Sequence, residues 1–332
     1  MQQQTQQHIK PNYPTITSLD VDTLPAGEHR FWFQVSTNAM GVGIQLPVIV
    51  IKGEKPGAKF MITAGVHGDE LNGILTAHKL ARKLEHNVDA GVVTIVPSVN
   101  IPGILTHSRD FSSSDPDASP ANLNRFFPGK VDGDAANQYL YRLWNQLLKP
   151  NAEFAIDLHT QTRGATYPLY VFADFRLEPA LEMARLIKPD VILNDPGDAG
   201  VLETVWNSSG VPSITIEVGM GKITQPELIE RTVDGVRQIL TRHGLMKGSA
   251  PEVLACAVEG QSITTVRARQ GGFVIPQVEL LQQVDADQLV ATQYDAFGQV
   301  LDQYYAPHAG TVLSYNVDSL RDPGALVVRL IR

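Results

Sequence analysis

Short apolar runs alternate with amphipathic stretches along most of the chain. Residues 60–64 form an apolar run of strand length, which predicts a buried strand. The stretch at 70–86 predicts a helix, because its apolar residues recur at helical spacing on one face: Leu71, Ile74, Leu75, Leu80 and Leu84. Further strands are predicted at residues 31–35, 46–52, 92–96, 153–158, 169–172, 191–193 and 213–218, and further helices at 134–149, 178–187, 200–208 and 225–243. This alternation predicts an α/β fold, a mostly parallel mixed sheet flanked by helices.

The pattern changes at residues 244–251. Beyond this point Val, Gln, Gly and Thr are frequent, turns recur, and no helical period is found. We therefore predict a small C-terminal all-β domain at residues 249–332, preceded by a larger domain at residues 31–248. Residues 1–30 are polar, contain proline and have no period, which predicts a loose N-terminal arm.

Composition and charge narrow the functional classes. The 332 residues include 27 Lys and Arg against 35 Asp and Glu, which gives a formal net charge of −8. This balance argues against binding to nucleic acid or to an anionic membrane surface, since both need clustered cations. The apolar runs are shorter than the roughly 20 residues of a membrane span, the polar start differs from a signal peptide, and one cysteine, Cys256, needs no oxidising compartment. We expect a soluble, cytoplasmic enzyme.

Three potential metal ligands follow predicted strands. His67 and Glu70 come soon after the strand at 60–64, and His159 ends the next strand but one, where Asp157 lies on the same face. Each alone is more often structural, as a polar turn, a glutamate in a first helical turn or a hydrogen-bonded histidine. Together they form a His₂Glu set at the strand ends where ligands collect in α/β sheets. This is the ligand set of catalytic zinc in thermolysin and carboxypeptidase A, and it suits Zn²⁺ better than Mg²⁺ or Ca²⁺.

Further candidates are a glutamate at a strand end and two arginines in a long loop. Glu217 lies in the apolar run at 213–218, where a partly desolvated carboxylate can act as a general base. An exposed strand end is an equally good interpretation of this residue alone. The loop at 100–133 carries Arg109 and Arg125, which could bind a substrate carboxylate or stabilise an oxyanion. Exposed arginines are common, so neither is decisive alone.

The order of these motifs resembles the succinylglutamate desuccinylase/aspartoacylase family, which belongs to the zinc carboxypeptidase-like group. The motifs, spread over residues 45–245, are His67-Gly-Asp-Glu70, Arg109, Asn124-Arg125, Asp157-Leu-His159 and Glu217-Val-Gly. The family's Asp-Leu-Asn-Arg form is present here as Asn-Leu-Asn-Arg at 122–125, without the acidic residue. The resemblance therefore implies the zinc carboxypeptidase-like fold, but it leaves the substrate open.

The resemblance also implies roles for the individual residues. One zinc ion per chain would be held by His67, Glu70 and His159, with Glu217 as general base and then acid. Arg109 would polarise the carbonyl and stabilise the oxyanion. The carboxylate of the substrate would be clamped by two further residues, Asn124 and Arg125.

The implied activity is that of a zinc-dependent amidohydrolase. It would cleave the amide bond of a small anionic N-acyl amino acid through metal-activated water. A metallocarboxypeptidase acting on short peptides would use the same core chemistry. An inactive zinc-binding scaffold is the third interpretation, which the filled position of Glu217 disfavours. The acyl group and the amino acid stay open among N-acetylaspartate-like, N-succinylglutamate-like and N-acetyl-diaminobutyrate-like compounds.

The C-terminal region resembles the small β-domain of this family, which is similar to a biotinyl/lipoyl-type barrel-sandwich. The resemblance rests on residues 271–276 and 306–312. A swinging-arm cofactor needs a lysine, and the last lysine of the chain is Lys247, before this domain begins. We therefore expect a structural role, or one that narrows the mouth of the site, and an interface for a homo-oligomer.

Overall fold

A large mixed sheet with helices on both faces dominates residues 12–332, the part of the chain that this computed structural model describes. Its strands, with one short strand that leaves the sheet, are β1 (Thr15–Ile16), β2 (Gly27–Thr37), β3 (Gly43–Lys52), β4 (Lys55–Ala64), β5 (Ala90–Val96), β6 (Phe154–Gln161), β7 (Ala165–Thr166), β8 (Leu169–Ala173), β9 (Val191–Asn194), β10 (Ser213–Met220) and β11 (Glu259–Gly260). The helices are α1 (Leu71–Leu84), α2 (Ile101–Leu105), α3 (Ala135–Leu143), α4 (Glu178–Leu186), α5 (Leu202–Ser208) and α6 (Pro226–Arg242). The predicted fold class is confirmed.

Parallel strands occupy the centre of this sheet. The strand order is β1-β2-β3-β5-β4-β6-β10-β8-β9-β11. Strands β5, β4, β6 and β10 run parallel to one another, whereas β3 and β8 join this group antiparallel. The register places Ala64 of β4 opposite Leu158 of β6, and His159 of β6 opposite Glu217 of β10. The carboxyl ends of β4, β6 and β10 therefore lie side by side.

The central strands are apolar on both faces because helices cover both. In β4, Phe60 and Ile62 pack into a core with α1, α4 and α6. Met61 points to the opposite face and packs with side chains of α3 and α5, including Trp206. Burial on both faces explains why this strand is a continuous apolar run rather than an alternating one.

The C-terminal region is antiparallel and all-β. Its strands are β12 (Ile263–Arg267), β13 (Gly272–Pro276), β14 (Gln283–Val284), β15 (Leu289–Tyr294), β16 (Val300–Tyr305), β17 (Gly310–Asn316), β18 (Leu320–Arg321) and β19 (Leu326–Ile331). They form one sheet in the order β12-β19-β17-β14 and another in the order β16-β15-β13-β18. Two strand pairs cross the predicted boundary near residue 248, since β7 pairs with β17 and β11 pairs with β9. The two predicted domains are thus joined by backbone hydrogen bonds.

The N-terminal segment differs from the predicted loose arm. Residues 1–11 of that arm lie outside the described residues, but residues 12–30 are held against the large sheet. Strand β1 pairs with β2, and Leu19 and Val21 are buried. The side chain of Asn151 accepts a hydrogen bond from the Val21 N–H and donates one to the Leu19 carbonyl. These partners are more than 100 positions away, which is why local composition could not indicate them.

The loop predicted at residues 100–133 is folded back onto the sheet. It contains α2 and a short 3₁₀ turn at Leu123–Arg125, and Phe111 pairs with Ala121 through backbone hydrogen bonds.

Among residues 12–332, no helix has both the length and the apolar character that crossing a membrane requires.

Trp206 on α5 provides a test of the assigned core. It is fully buried, and its ring centroid lies 4.4 Å from that of Trp144. Trp206→Ala should lower the free energy of unfolding by about 3–5 kcal/mol, because the surrounding core cannot close the cavity that is left. Trp32, which is 37% exposed, is the matched control. Trp32→Ala should cost about 1 kcal/mol or less. Equal losses in chemical denaturation would contradict this core.

Candidate functional site

Three segments bring polar side chains to the carboxyl edge of the central strands. His67 and Glu70 lie in the turn between β4 and α1, His159 lies in β6, and Glu217 lies in β10. The turn passes close to α2, where a Cβ at Gly68 would lie 2.1 Å from the carbonyl carbon of Gly103. A glycine is therefore needed for the turn to place His67 and Glu70 over the strand ends.

A buried cluster of three residues surrounds the carboxylate of Glu70. His67 Nδ1 lies 2.9 Å from Glu70 Oε1, and His159 Nδ1 lies 2.8 Å from Glu70 Oε2. All three side chains are at most 3% exposed. Burial opposes ionisation of Glu70, but the two imidazole rings outweigh it and lower the pKa of this carboxyl far below its ordinary value. Glu70 is therefore an anion at neutral pH.

The second nitrogen of each imidazole also has a partner. His67 Nε2 lies 2.9 Å from Asn122 Oδ1, and His159 Nε2 lies 2.7 Å from Asp157 Oδ2. The other oxygen of Asp157 accepts a hydrogen bond from Thr63 Oγ1 at 2.6 Å. These contacts fix the orientation of both rings and direct each Nδ1 towards Glu70. Asp157 was predicted to lie on the same face as His159, whereas the contact of Asn122 with His67 was not predicted.

The cluster has the donor set that a transition-metal ion needs. One nitrogen of each histidine and one oxygen of Glu70 lie within 4.8 Å of one another. Although His67 Nδ1 is close to Glu70, it is a buried atom without a hydrogen-bond partner. Two imidazole nitrogens and a carboxylate oxygen fit Zn²⁺, and metal-binding histidines usually have an orienting partner on the other nitrogen. His67, Glu70 and His159 could therefore hold a zinc ion.

Glu217 lies beside this cluster with an unsatisfied carboxylate oxygen. It is 7% exposed, it faces His159 across the β6–β10 pair, and its Oε2 has no hydrogen-bond partner. Burial raises the pKa of Glu217 to about 8, and the negative charge of Glu70 contributes to the rise. A carboxyl group with a pKa near neutrality can both accept and release a proton.

The predicted loop residues reach the same place. Arg109 Nη1 donates a hydrogen bond to Glu70 Oε1 at 2.5 Å. The side-chain oxygen of Asn124 accepts a hydrogen bond from the backbone N–H of Leu202, at the start of α5, at 2.8 Å. Arg125 Nη1 donates to the backbone carbonyl of Asn124 at 2.6 Å. The loop is thus attached to both the cluster and α5.

The predicted residues line one cavity of about 250 Å³. Its lining includes all seven of them, namely His67, Glu70, Arg109, Asn124, Arg125, His159 and Glu217. The lining also includes residues that were not predicted, among them Asp195, Asp198, Glu203 and Thr215. Glu203 had a signal in the sequence, since it is a charged residue on the buried face of a predicted helix. The two aspartates lie in a polar turn, where nothing distinguishes them.

The chain is similar to known proteins over most of its length. Residues 56–242, more than half of the chain, match the family model described as succinylglutamate desuccinylase/aspartoacylase catalytic domain. The chain is 28% identical over 305 residues to an N-alpha-acetyl-L-2,4-diaminobutyric acid deacetylase from Halomonas elongata, covering 87% of this chain and 85% of the relative. It is 25% identical over 191 residues to a succinylglutamate desuccinylase from Pseudomonas paraeruginosa, covering 53% of this chain and 55% of the relative.

Solved structures show the same fold. The product-bound ectoine utilization protein EutE (DoeB) from Ruegeria pomeroyi superimposes with a TM-score of 0.79 at 23% identity, covering 93% of this chain and 97% of that protein. A succinylglutamate desuccinylase/aspartoacylase from Rhodobacter sphaeroides superimposes with a TM-score of 0.80 at 20% identity, covering 95% and 97%. Because the family model matches more than half of the chain, the chain belongs to the succinylglutamate desuccinylase/aspartoacylase family.

Proposed function

We propose that this chain is a zinc-dependent amidohydrolase that removes the acyl group from a small N-acyl amino acid. The observation that carries the proposal is the meeting of a buried His-Glu-His cluster with the unsatisfied carboxylate of Glu217 in one cavity. The names of the two curated relatives, a deacetylase and a desuccinylase, support this reaction class.

The metal ligands in this proposal are His67, Glu70 and His159. Their burial, their donor atoms and the orienting contacts of Asn122 and Asp157 support the assignment. A zinc ion, when bound, lowers the pKa of water and polarises a carbonyl group.

Glu217 is the general base in the first half of the reaction and the general acid in the second. Its carboxylate takes a proton from the water molecule that attacks the amide carbonyl. It then donates this proton to the leaving nitrogen, so that the C–N bond breaks and the nitrogen departs as a neutral amine rather than as an anion. A pKa raised towards neutrality supports both steps, because neither transfer is strongly uphill.

The two arginines have separate tasks. Arg109 lies at the cluster, where its guanidinium stabilises the negative charge that develops on the carbonyl oxygen. Arg125 binds the carboxylate of the substrate, for which a guanidinium has nitrogens beyond the one that contacts Asn124. Because the side-chain oxygen of Asn124 is engaged by Leu202, its amide nitrogen is the group left for the substrate.

The dimensions of the cavity favour a small substrate over a peptide. Its volume of about 250 Å³ is below the roughly 300–1,000 Å³ of typical ligand pockets. A metallocarboxypeptidase with the same core chemistry would need space for several residues of a peptide. The assay of the proposal therefore includes short peptides beside N-acetyl and N-succinyl amino acids.

Glu217→Gln tests the proposed base. The variant keeps the shape of the side chain, so it should retain about one zinc ion per chain by elemental analysis. It should lose activity on N-acyl amino acids by about 10²–10⁴-fold in kcat/KM, because it cannot accept a proton. Glu178→Gln makes the same chemical change at an exposed helix end and should change neither quantity. Turnover like that of the wild type in Glu217→Gln would refute the mechanism, and preferred cleavage of peptides would favour a carboxypeptidase.

Asn122 provides a second test, which does not depend on activity. Asn122→Ala removes the acceptor for His67 Nε2 and should weaken zinc binding by about 10–100-fold in competition with a chelator. Asn122→Asp keeps an acceptor at the same place and should restore most of the affinity. Asn122 also accepts a hydrogen bond from the Asn124 N–H, so the stability of the metal-free variants is measured in parallel. Zinc affinity that is unchanged in Asn122→Ala would argue against His67 as a ligand.

A further inference from the structure

Three acidic residues line the catalytic cavity in addition to Glu70 and Glu217. Glu203, on α5, is 4% exposed, and Asp195 and Asp198 lie in the turn between β9 and α5. Acids nearby are neutralised by arginines, as in the ion pairs Asp174–Arg176 and Asp190–Arg231. Within residues 12–332, none of the three cavity acids has an ion pair of this kind.

Glu203, Thr215 and the proposed base Glu217 line one side of the cavity, which we call the polar wall. Thr215 and Glu217 are two positions apart on β10, so both point to the cavity face, and Thr215 contacts Glu203. Burial raises the pKa of Glu203 well above its ordinary value, and the charge of Asp195 adds to the rise. The hydrogen bond with Thr215 lowers this pKa but does not cancel the effect of burial. At the other end of the wall, Glu217 Oε2 is buried without a partner. A buried acceptor without a hydrogen-bond partner favours a ligand that brings hydrogen-bond donors and positive charge.

A cation lies next to these acids. Burial raises the pKa of Asp195, and the nearby Arg125 acts in the opposite direction. The turn that carries Asp195 is packed on the loop that carries Arg125, since a Cβ at Gly200 would lie 2.2 Å from the Arg125 carbonyl oxygen. A ligand in the cavity therefore meets a guanidinium and carboxyl groups side by side. This arrangement complements a zwitterion better than it complements a dianion.

We propose that Glu203 and Asp195 form a subsite for a primary ammonium group at the end of the substrate side chain. With its α-carboxylate on Arg125, the substrate is then an N-acyl diamino acid with a short side chain. This proposal rests on the proposed function, which it narrows. An N-acyl aspartate or glutamate would bring a second carboxylate against the same acids, and such like-charge contacts oppose binding.

The test compares three substrates that differ at the end of the side chain. They are the α-N-acetyl derivatives of 2,4-diaminobutyrate, of norvaline, in which a methyl replaces the ammonium, and of aspartate. Zinc-loaded wild-type protein should prefer the first over the second by about 10–100-fold in kcat/KM, the range for a hydrogen bond to a charged group. The aspartate derivative should be the poorest substrate of the three.

Two variants remove charge and keep shape. Glu203→Gln, and separately Asp195→Asn, should lower kcat/KM for the diamino acid derivative by about tenfold or more. The ratio of kcat/KM between the diamino acid derivative and the norvaline derivative should therefore fall by about tenfold or more in each variant. Asp195→Asn keeps the side-chain oxygen that accepts from the Gly197 N–H, so a purely structural role of Asp195 would leave selectivity unchanged. Glu178→Gln is the control for the loss of one negative charge.

Calorimetry separates this proposal from the function on which it rests. Free L-2,4-diaminobutyrate should bind to metal-free wild-type protein more tightly than norvaline, and Glu203→Gln should reduce this difference in affinity by about tenfold. If no N-acyl amino acid is hydrolysed, the proposed function fails, and the calorimetry alone decides the subsite. If the norvaline or aspartate derivative is hydrolysed as well as the diamino acid derivative, or if both variants keep the selectivity of the wild type, the subsite is overturned and the hydrolase function stands.

Discussion

A buried carboxylate must be matched by donors or by positive charge, and Glu70 imposes this requirement on the whole site. Removing an ionised carboxylate from water costs several kcal/mol unless its oxygens are satisfied. Here Oε2 accepts from the Thr160 N–H and lies near His159, while Oε1 lies near His67 and accepts from Arg109. These partners come from β6, from the turn after β4 and from the long loop. The position of one side chain therefore ties together three segments that are distant in the sequence.

The C-terminal all-β region contacts the segment that joins β6 to β8. Strand β8 is the antiparallel neighbour of β10, and it places Tyr170 opposite Glu217. Next to it, Tyr167 accepts a hydrogen bond at 2.7 Å from Arg329 of β19, and β7 continues into the C-terminal sheet through its pairing with β17. The strand next to the proposed base is thus attached to the C-terminal region by a side-chain hydrogen bond and by a strand pairing.

The strand ends were predictable from the sequence because their signals are local. An apolar run followed by His67 and Glu70, or one that ends at His159, indicates both the strand and the edge at which its polar residues lie. The contact of Asn122 with His67 was not predictable, since it spans 55 positions and an asparagine before a turn has many uses. The pairing of β7 with β17 likewise depends on tertiary contacts that no local pattern encodes. Glu203 is an intermediate case. The sequence could predict that it lies on the buried face of a short helix, but it could not predict the cavity next to that helix.

The substrate charge that the site favours depends on which charged groups of the cavity are already paired with each other. Two arginines in the loop, read from the sequence, favoured an anionic substrate. In the folded chain, the guanidinium of Arg109 is already engaged with Glu70, so it cannot count fully as a site for an additional carboxylate. Arg125, which lies near Asp195, is left for one carboxylate, while Asp195 and Glu203 form no ion pair among the described residues. The net charge of −8 argued against polyanions as partners, but the substrate preference depends on which charges inside the cavity remain unpaired. That remainder, one guanidinium beside two carboxyl groups, fits a ligand with a charge of each sign.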